Sequence, residues 1–446
     1  MRIEIVFFLI FALLNLACPS LLIADWPQWR GPEQTGTAPP EATPPTRWSS
    51  TENVKWKTAI PGRGHSTPIV FGDDVFITTA IPHGPELSKQ FSGRPGAHDN
   101  LPVSRSHRFS LIALSRSTGN RLWEKTLHEA IPHEGGHYTA SLASASPVTD
   151  GKYVFAYFGS HGLFCVDFQG NLKWKKTFPP MHSKHGHGEG SSPALYDGTL
   201  VINWDHEGDS FLVAFDSKTG KEKWRRERHE VTSWSTPLIV QNNEDPAQVI
   251  VCGTDRVRGY SLESGEDVWQ CGGMSANIVA TPVAANGIVY VGSSYEKRAL
   301  MAIRYPQAKG DITGSEHVLW TRTRGTPYVP SLLLYDDALY FLTHYQNILS
   351  RIDGPSGIDQ PGAIRLGEIG NVYASPVGAG GFVFITDMDG VTMVLSHTEI
   401  PRKVAINELG ENVSASVAVA GSELLIRGDK HLFCIAGSTP LEDSSK

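Results

Sequence analysis

The stretch Ala214-Phe215-Asp216-Ser217-Lys218-Thr219-Gly220-Lys221-Glu222-Lys223-Trp224 is the most informative part of this chain. A short apolar run, Phe211 to Ala214, leads into it. Thr219-Gly220 marks a tight turn, because glycine adopts a positive φ without a Cβ clash. A second short strand follows and ends in Trp224. The stretch therefore predicts two antiparallel strands joined by a turn.

The same pattern recurs along the chain. Partial copies end in Trp123, Trp174, Trp269 and Trp320, at intervals of 45 to 51 residues. A second marker, a Ser or Thr step that is usually followed by proline and an apolar strand, recurs eight times, near Ser66, Ser146, Ser192, Thr236, Thr281, Ser331, Ser375 and Ser416. A period of this length, built from short strands, is typical of β-propeller blades. We expect an all-β, eight-bladed β-propeller with four-stranded antiparallel blades.

The two ends of the repeat array complement each other. Asn53 to Lys57 matches the last strand of a blade but has no preceding strands. The final copy supplies only three strands, Val417 to Ala420, Leu424 to Arg427 and Leu432 to Ala436. We expect the N-terminal strand to complete this blade, since closing the ring removes an open sheet edge.

The segments outside the repeats predict export. Met1-Arg2 precedes an apolar run, Ile5 to Leu16, that is short for a membrane span and typical of a secretory signal peptide. We expect residues 1–24 to be this peptide, with lipidation at Cys18 as the alternative. Residues 25–52 are expected to form an extended Pro-rich arm, 53–437 the propeller and 438–446 a polar tail. The expected location is extracytoplasmic, either periplasmic or secreted.

Composition excludes some functions. The chain has 446 residues with 39 basic and 46 acidic side chains, a net charge of −7. This balance offers no basic surface for nucleic acid. We expect a monomer with no transmembrane helix once the signal peptide is removed. Cys252 and Cys271 are predicted on alternate strands of one blade, too far apart to bridge, so no disulfide framework is expected.

The motif Ala-x-Asp-x-x-Thr-Gly-x-x-x-Trp, complete at 214–224, resembles the repeat of the PQQ-like β-propeller family, also called the quinoprotein alcohol dehydrogenase-like superfamily. The resemblance covers about residues 50–437. The opening Trp26-Pro27-Gln28-Trp29-Arg30-Gly31 looks like that of secreted bacterial members.

This resemblance implies two alternative functions. One branch comprises PQQ-dependent dehydrogenases, which stack the quinone over a vicinal Cys–Cys disulfide and use Ca²⁺ with an Asp base. The chain has no Cys-Cys pair and no Cys-x-x-Cys-His haem motif. The other branch uses the propeller as a binding platform, as in the lipoprotein of the outer-membrane assembly machinery.

Histidines cluster in the long insertions of the first three blades. Thirteen of the 17 histidines precede residue 230, and strand topology places the loops that carry most of them on one face. Imidazoles and carboxylates at this density suit a transition metal. The candidate ligands are His185, His187, Glu189, Asp205 and His206; the alternative is a solvated loop whose histidines hydrogen-bond to the backbone.

A second candidate site is the ring of residues just before each first strand. His65, Trp234, Tyr328 and Tyr373 are expected to rim the channel, where aromatic side chains suit a flat polar ligand such as a quinone or a sugar. The alternative is that they plug the channel and pack between blades. We expect a scaffold that binds a small molecule or an envelope protein; PQQ and a metal stay open as cofactors, and a quinoprotein oxidoreductase and an outer-membrane assembly scaffold stay open as alternatives.

Overall fold

A computed structural model of the chain describes residues 25–242, 245–343 and 347–437. The predicted signal peptide with Cys18 and the predicted tail lie outside the described residues. The fold is an eight-bladed β-propeller, which confirms the predicted class. Each blade is built on four antiparallel strands through which the chain passes from the channel outward, and first strands of adjacent blades contact one another.

The first four blades contain most of the long insertions. Their strands are, in chain order after β1 (Val54–Ala59), β2 (Ile69–Phe71), β3 (Asp74–His83), β4 (Asn100–Leu101), β5 (Ser106–Ser115), β6 (Arg121–Ala130), β7 (Gly136–His137), β8 (Val148–Thr149), β9 (Tyr153–Tyr157), β10 (Leu163–Asp167), β11 (Leu172–Lys176), β12 (Ala194–Tyr196), β13 (Thr199–Trp204), β14 (Ser210–Asp216), β15 (Glu222–Arg228), β16 (Leu238–Val240), β17 (Gln248–Gly253), β18 (Arg256–Ser261) and β19 (Asp267–Gly272). Two single-turn 3₁₀ helices occur at Gly159–His161 and Lys184–Gly186.

The remaining blades are more compact. Their strands are β20 (Val283–Ala285), β21 (Ile288–Ser293), β22 (Ala299–Arg304), β23 (Gly310–Asp311), β24 (Val318–Arg322), β25 (Leu333–Tyr335), β26 (Ala338–Leu342), β27 (Ile348–Asp353), β28 (Asp359–Arg365), β29 (Val377–Ala379), β30 (Phe382–Thr386), β31 (Val391–Ser396), β32 (Lys403–Glu408), β33 (Ala418–Ala420), β34 (Glu423–Arg427) and β35 (His431–Ala436). β23 adds to blade 4 as a fifth strand, parallel to β19, which the repeat pattern did not predict.

The ring closes as expected. β1 pairs antiparallel with β35, with Thr58 opposite Leu432, and so becomes the outermost strand of blade 8. Because both ends of the chain share one sheet, each blade has a packed neighbour on both sides, and detaching a blade from the ring requires breaking two seams. The four described cysteines are buried and free, and Cys252 and Cys271 lie on β17 and β19 of one blade, as predicted.

Five of the eight seams are built from the tryptophan of one blade and the turn of the next. The indole N–H donates to a backbone carbonyl in the turn, at 2.8–2.9 Å, in the pairs Trp56–Arg116, Trp123–Phe168, Trp174–Ser217, Trp224–Leu262 and Trp320–Gly354. The glycine of that turn lies against the indole face, so any Cβ would collide with it. Trp269 instead bonds Gln248 Oε1 of its own blade, since blade 5 has a longer excursion in place of the tight turn. The last strands of blades 6 and 7, β28 and β32, carry no tryptophan.

The Ser/Thr markers join the blades around the channel. The backbone N–H of each marker donates to the hydroxyl of the next at 2.9–3.0 Å, in the series Thr67–Ser146–Ser192–Thr236–Thr281–Ser331–Ser375–Ser416. Between blades 8 and 1, Arg427 Nη1 instead donates to Ser66 Oγ at 2.7 Å. The hydroxyl, and not only the proline, therefore explains why this step recurs.

Residues 25–52 cross the end of the channel opposite the long loops. Trp26 pairs with Val70 of blade 1, the Arg30 guanidinium donates to the carbonyl of Pro376 before blade 7, and Trp48 stacks on Phe384. Trp26, Arg30 and Trp48 are buried. The segment therefore contacts both sides of the ring at that end, and the loop face offers the other mouth.

Candidate functional site

Unusually long strands position the loops of the candidate site. β3 and β5 pair over ten positions, from Asp74 opposite Ser115 to His83 opposite Ser106, and so carry the 84–105 loop beyond the other blades. This loop then pairs with the link into blade 2 through β4 and β7, with Asn100 opposite His137. The link into blade 3 joins them, since His137 N–H donates to the carbonyl of His187 at 3.2 Å. Three separate insertions thus meet on one face.

These insertions enclose a cavity of about 270 Å³. Its apolar wall consists of Leu101, Pro102, Val103, Leu142, Phe158 and Met181, and its polar lining includes His133, Tyr157, Glu189 and Asn203. An apolar recess with a few convergent polar groups is the usual form of a small-molecule site.

Glu189 is a buried acid of the cavity lining. Its carboxylate accepts hydrogen bonds from the backbone N–H and the hydroxyl of Ser160, both at 2.6 Å, and His133 Nε2 lies 3.8 Å away. Burial raises the pKa of Glu189 above its usual value, and the bonds from Ser160 oppose that shift. A carboxyl with a raised pKa beside an imidazole can exchange protons, which is a frequent property of functional sites.

Two further polar atoms of the lining have no hydrogen-bond partner among the described residues. Tyr157 Oη is buried, and burial followed by the nearby Glu189 raises the pKa of Tyr157 well above 10, so the phenol stays a donor. Asn203 Oδ1 is also unpaired, while its Nδ2 donates to the carbonyl of Ser235 at 3.3 Å. Buried polar groups without partners are uncommon and call for a bound molecule or water.

The five residues predicted as metal ligands are not gathered around one point. His185 and His187 are neighbours, with ring centroids 5.3 Å apart. Asp205 instead forms a buried ion pair with Arg228, and Glu189 is held by Ser160. His206 lies beside His182, with centroids 6.4 Å apart.

Other side chains form the compact donor groups of the described region. Ligand atoms lie within 4.8 Å of one another in two sets, His98–Asp99–His137 and His133–Glu134–His182. In the second set Glu134 is already paired with Arg94 at 3.2 Å, and His133 Nε2 is 2.7 Å from the carbonyl oxygen of Met181. Sequence density indicated the right loops but not these residues, because their contacts join segments 38 or more positions apart.

Three of the four residues predicted to rim the channel line one cavity, and the fourth does not. His65, Trp234 and Tyr373 line a second cavity, of about 200 Å³, together with Trp29, which the sequence analysis did not assign to a site. Tyr328 stacks on Tyr295, with ring centroids 6.2 Å apart. Trp234 also lines the first cavity, and its indole donates to the carbonyl of Gly188 at 2.7 Å, so the two cavities are adjacent. Burial, followed by the charges of Arg63 and Arg427, lowers the pKa of His65 to about 3.

His161 makes the stability of this face depend on pH. Its ring stacks on Phe109 at 4.0 Å, and burial, followed by neighbouring histidines, lowers its pKa from 6.5 to about 3. The unfolded chain therefore binds a proton that the folded chain does not, and the free energy of unfolding falls as pH falls from about 6.5 towards 3.

We expect His161→Phe to reduce this pH-dependent loss of stability, because phenylalanine does not titrate. Thermal melts at successive pH values measure the slope of the melting temperature against pH. The exposed His229→Phe is the control, and an equal slope in both variants would contradict this role for His161.

Comparisons with known proteins place the chain in a family. A family model described as outer membrane protein assembly factor BamB matches residues 107–399, from blade 1 through blade 7. The chain belongs to this PQQ-like β-propeller family. A comparison with curated proteins gave no match.

Solved structures of similar fold include members of both functional branches. BamB from Moraxella catarrhalis is 13% identical, with a TM-score of 0.54 over 81% of this chain and 98% of that chain. The quinohemoprotein alcohol dehydrogenase ADHIIG from Pseudomonas putida HK5 is 11% identical, with a TM-score of 0.58 over 95% and 82%. The computationally designed Ika8 protein is 12% identical, with a TM-score of 0.52 over 79% and 97%. At these identities the likeness concerns the fold of this PQQ-like propeller.

The residues of this propeller do not fit the quinone. Its four described cysteines lie within blade strands, and none of them lines either cavity. Among the described residues, no disulfide therefore lies at the channel mouth, and the surface on which dehydrogenases of the family stack PQQ is missing there. Within the described part of the chain, no helix combines the length and apolar character that crossing a membrane requires.

Proposed function

We propose that this PQQ-like propeller is an exported binding scaffold and that the cavity between the loops of its first three blades holds a small organic ligand. The observation that supports this most directly is the pairing of an apolar wall with the unpartnered Tyr157 Oη and Asn203 Oδ1 in one enclosed space. The signal-peptide pattern of residues 1–24 supports export.

The donors and acceptors define the class of ligand. Tyr157 offers a hydroxyl proton to a ligand acceptor, and Asn203 offers a carbonyl oxygen to a ligand donor. His133 Nε2 lies 3.8 Å from Glu189 Oε1, so the two side chains compensate each other's charge when both are ionised. The site therefore favours an uncharged hydroxyl- or amide-bearing molecule with an apolar body, such as an aryl glycoside, over a free carboxylate.

Binding of simple probes tests this proposal. Ligand-observed NMR with phenyl glucoside, benzamide and benzoate should detect the first two and not the third. Tyr157→Phe should weaken binding by about tenfold, the effect of one hydrogen bond of about 1.4 kcal/mol. Leu142→Trp should abolish binding by filling the cavity, whereas Tyr290→Phe, in blade 5, should leave it unchanged. Equal binding by the native chain and Leu142→Trp would contradict the site.

Assembly of envelope proteins is the second candidate function, and the family match over residues 107–399 favours it. A protein partner would use the outer surface of the blades, where a strand such as β6 consists only of exposed and half-buried residues. Leu142→Trp separates the two functions, because crosslinking of envelope proteins to the chain should survive it while small-molecule binding is lost. Dye-linked alcohol oxidation after addition of PQQ and Ca²⁺ would instead contradict both.

A further inference from the structure

Four imidazoles and one carboxylate from three insertions lie together at the mouth of the cavity. The ring centroid of His187 is 4.8 Å from that of His98, 4.9 Å from that of His137 and 5.3 Å from that of His185. The ligand atom of Asp99 lies within 4.8 Å of those of His98 and His137. We call these five residues, His98, Asp99, His137, His185 and His187, the histidine cluster.

Two rings of the cluster are oriented as metal ligands usually are. In His98 and His185, Nδ1 faces a backbone carbonyl, that of Gly96 and that of Pro95 respectively, both at 2.8 Å. Such a bond fixes the ring and leaves Nε2 for a metal. Nδ1 of His137, by contrast, lies 2.7 Å from the Thr139 hydroxyl and accepts from the Thr139 N–H at 3.4 Å. Nε2 of His187 is buried and has no hydrogen-bond partner among the described residues.

Hydrogen bonds to backbone carbonyls of the cluster link its loops without an ion. Asn100 Nδ2 donates to the carbonyl of His185 at 2.8 Å, and Tyr138 N–H donates to the carbonyl of Asp99 at 2.9 Å. Asp99 and His185 both adopt φ of 55°, a region that non-glycine residues occupy at a cost and that is frequent at functional sites. These cross-links join the loops that carry Asp99 and His185 before any ion binds.

We propose that the histidine cluster binds one late first-row transition-metal ion, with Zn²⁺ as the reference ion. Neutral imidazole nitrogens with one carboxylate suit Zn²⁺ and Cu²⁺, whereas Ca²⁺ prefers oxygen ligands. His137, Gly136 and Gly188 also line the cavity, so the ion joins the three loops at the cavity mouth. This site shares His185 and His187 with the set predicted from the sequence and replaces its other three members.

Calorimetric titration of the chelator-treated full chain with Zn²⁺ tests the site. The native protein should bind one equivalent of Zn²⁺ tightly and should bind Ca²⁺ no more than weakly. The double variant His98→Ala with His187→Ala should lower the Zn²⁺ affinity at least about 100-fold, since loss of a supporting partner of a metal ligand alone costs 10- to 100-fold in affinity. His317→Ala is the matched control, because His317 Nδ1 also faces a backbone carbonyl, that of Arg304, but lies far along the ring in blade 5.

Two outcomes overturn the proposal. One is the absence of a tight equivalent in the native chain, or equal binding by the double variant. The other is that Zn²⁺ binding is lost in the double variant His133→Ala with His182→Ala instead. That result would assign the ion to the His133–Glu134–His182 set. Amide hydrogen exchange tests the structural role separately: Zn²⁺ should slow exchange in residues 95–101 and 182–190, and binding without such protection would contradict the joining of the loops.

Discussion

Asp205→Ala is expected to destabilise the protein by about 3–5 kcal/mol, because it leaves a buried guanidinium without its main counterion. Arg228 donates from Nε and Nη2 to the two carboxylate oxygens of Asp205, both at 2.9 Å, and the two side chains are 1% and 0% exposed. Glu230 lies 3.8 Å from the same guanidinium and compensates only in part. Urea denaturation followed by tryptophan fluorescence measures the shift in midpoint.

Two control variants isolate the effect of burial. Glu222→Ala removes an exposed ion pair with Arg225 of similar length, 2.8 Å, and should cost less than about 1 kcal/mol. Asp205→Leu combined with Arg228→Met removes both charges and should recover most of the stability, as apolar replacements of buried ion pairs do. If Asp205→Ala leaves the midpoint unchanged but removes a bound metal ion, Asp205 is a ligand, as its sequence context suggested.

Gly265→Ala is expected to cost about 2–5 kcal/mol, because it opens the seam between blades 3 and 4. Gly265 has φ of +72°, and a Cβ there would lie 2.5 Å from the indole of Trp224. The indole has no room to move, since it is 9% exposed and its Nε1 donates to the Leu262 carbonyl at 2.9 Å. The left-handed backbone costs an alanine about 1–2 kcal/mol, and overpacking adds about 1–3 kcal/mol.

Gly410→Ala separates these two contributions. Gly410 has φ of +71°, but a Cβ there would meet nothing within 4 Å. Gly410→Ala should therefore lose only the stability that the left-handed backbone costs an alanine, as measured in the same denaturation experiment. Equal losses at the two positions would mean that the seam accommodates a methyl group and that the recurrent glycine serves the turn alone.

The architecture could be predicted because its signals are local and repeated. The turn at Thr219-Gly220, the tryptophan that follows it and the strand before it lie within about a dozen residues, and each recurs. Ring closure through β1 followed from counting strands at the two ends. The hydroxyl ladder at the channel was not foreseen, because proline explained the Ser/Thr marker equally well until Ser146 and its counterparts were seen to accept hydrogen bonds from the neighbouring blade.

The candidate site could be predicted only as a region. The density of histidines indicated the insertions of blades 1 to 3, and His185 and His187 do lie in the histidine cluster. Asp205 was assigned from its neighbours in sequence, but its side chain lies against Arg228, 23 positions away. An acidic residue between histidines gives no local signal of which partner it meets after folding.

The amino-acid sequence by itself determined the propeller, the number of blades and the way the ring closes, since alternation, turns and repeats act over short distances along the chain. Only the tertiary structure decided which side chains share a site. His98 and His187 are 89 positions apart, and their contact depends on the ten-residue pairing of β3 with β5 and on the short pairing of β4 with β7. Those pairings are long-range backbone contacts, and they, not the composition of the loops, place imidazoles, carboxylates and the cavity at one mouth of the channel.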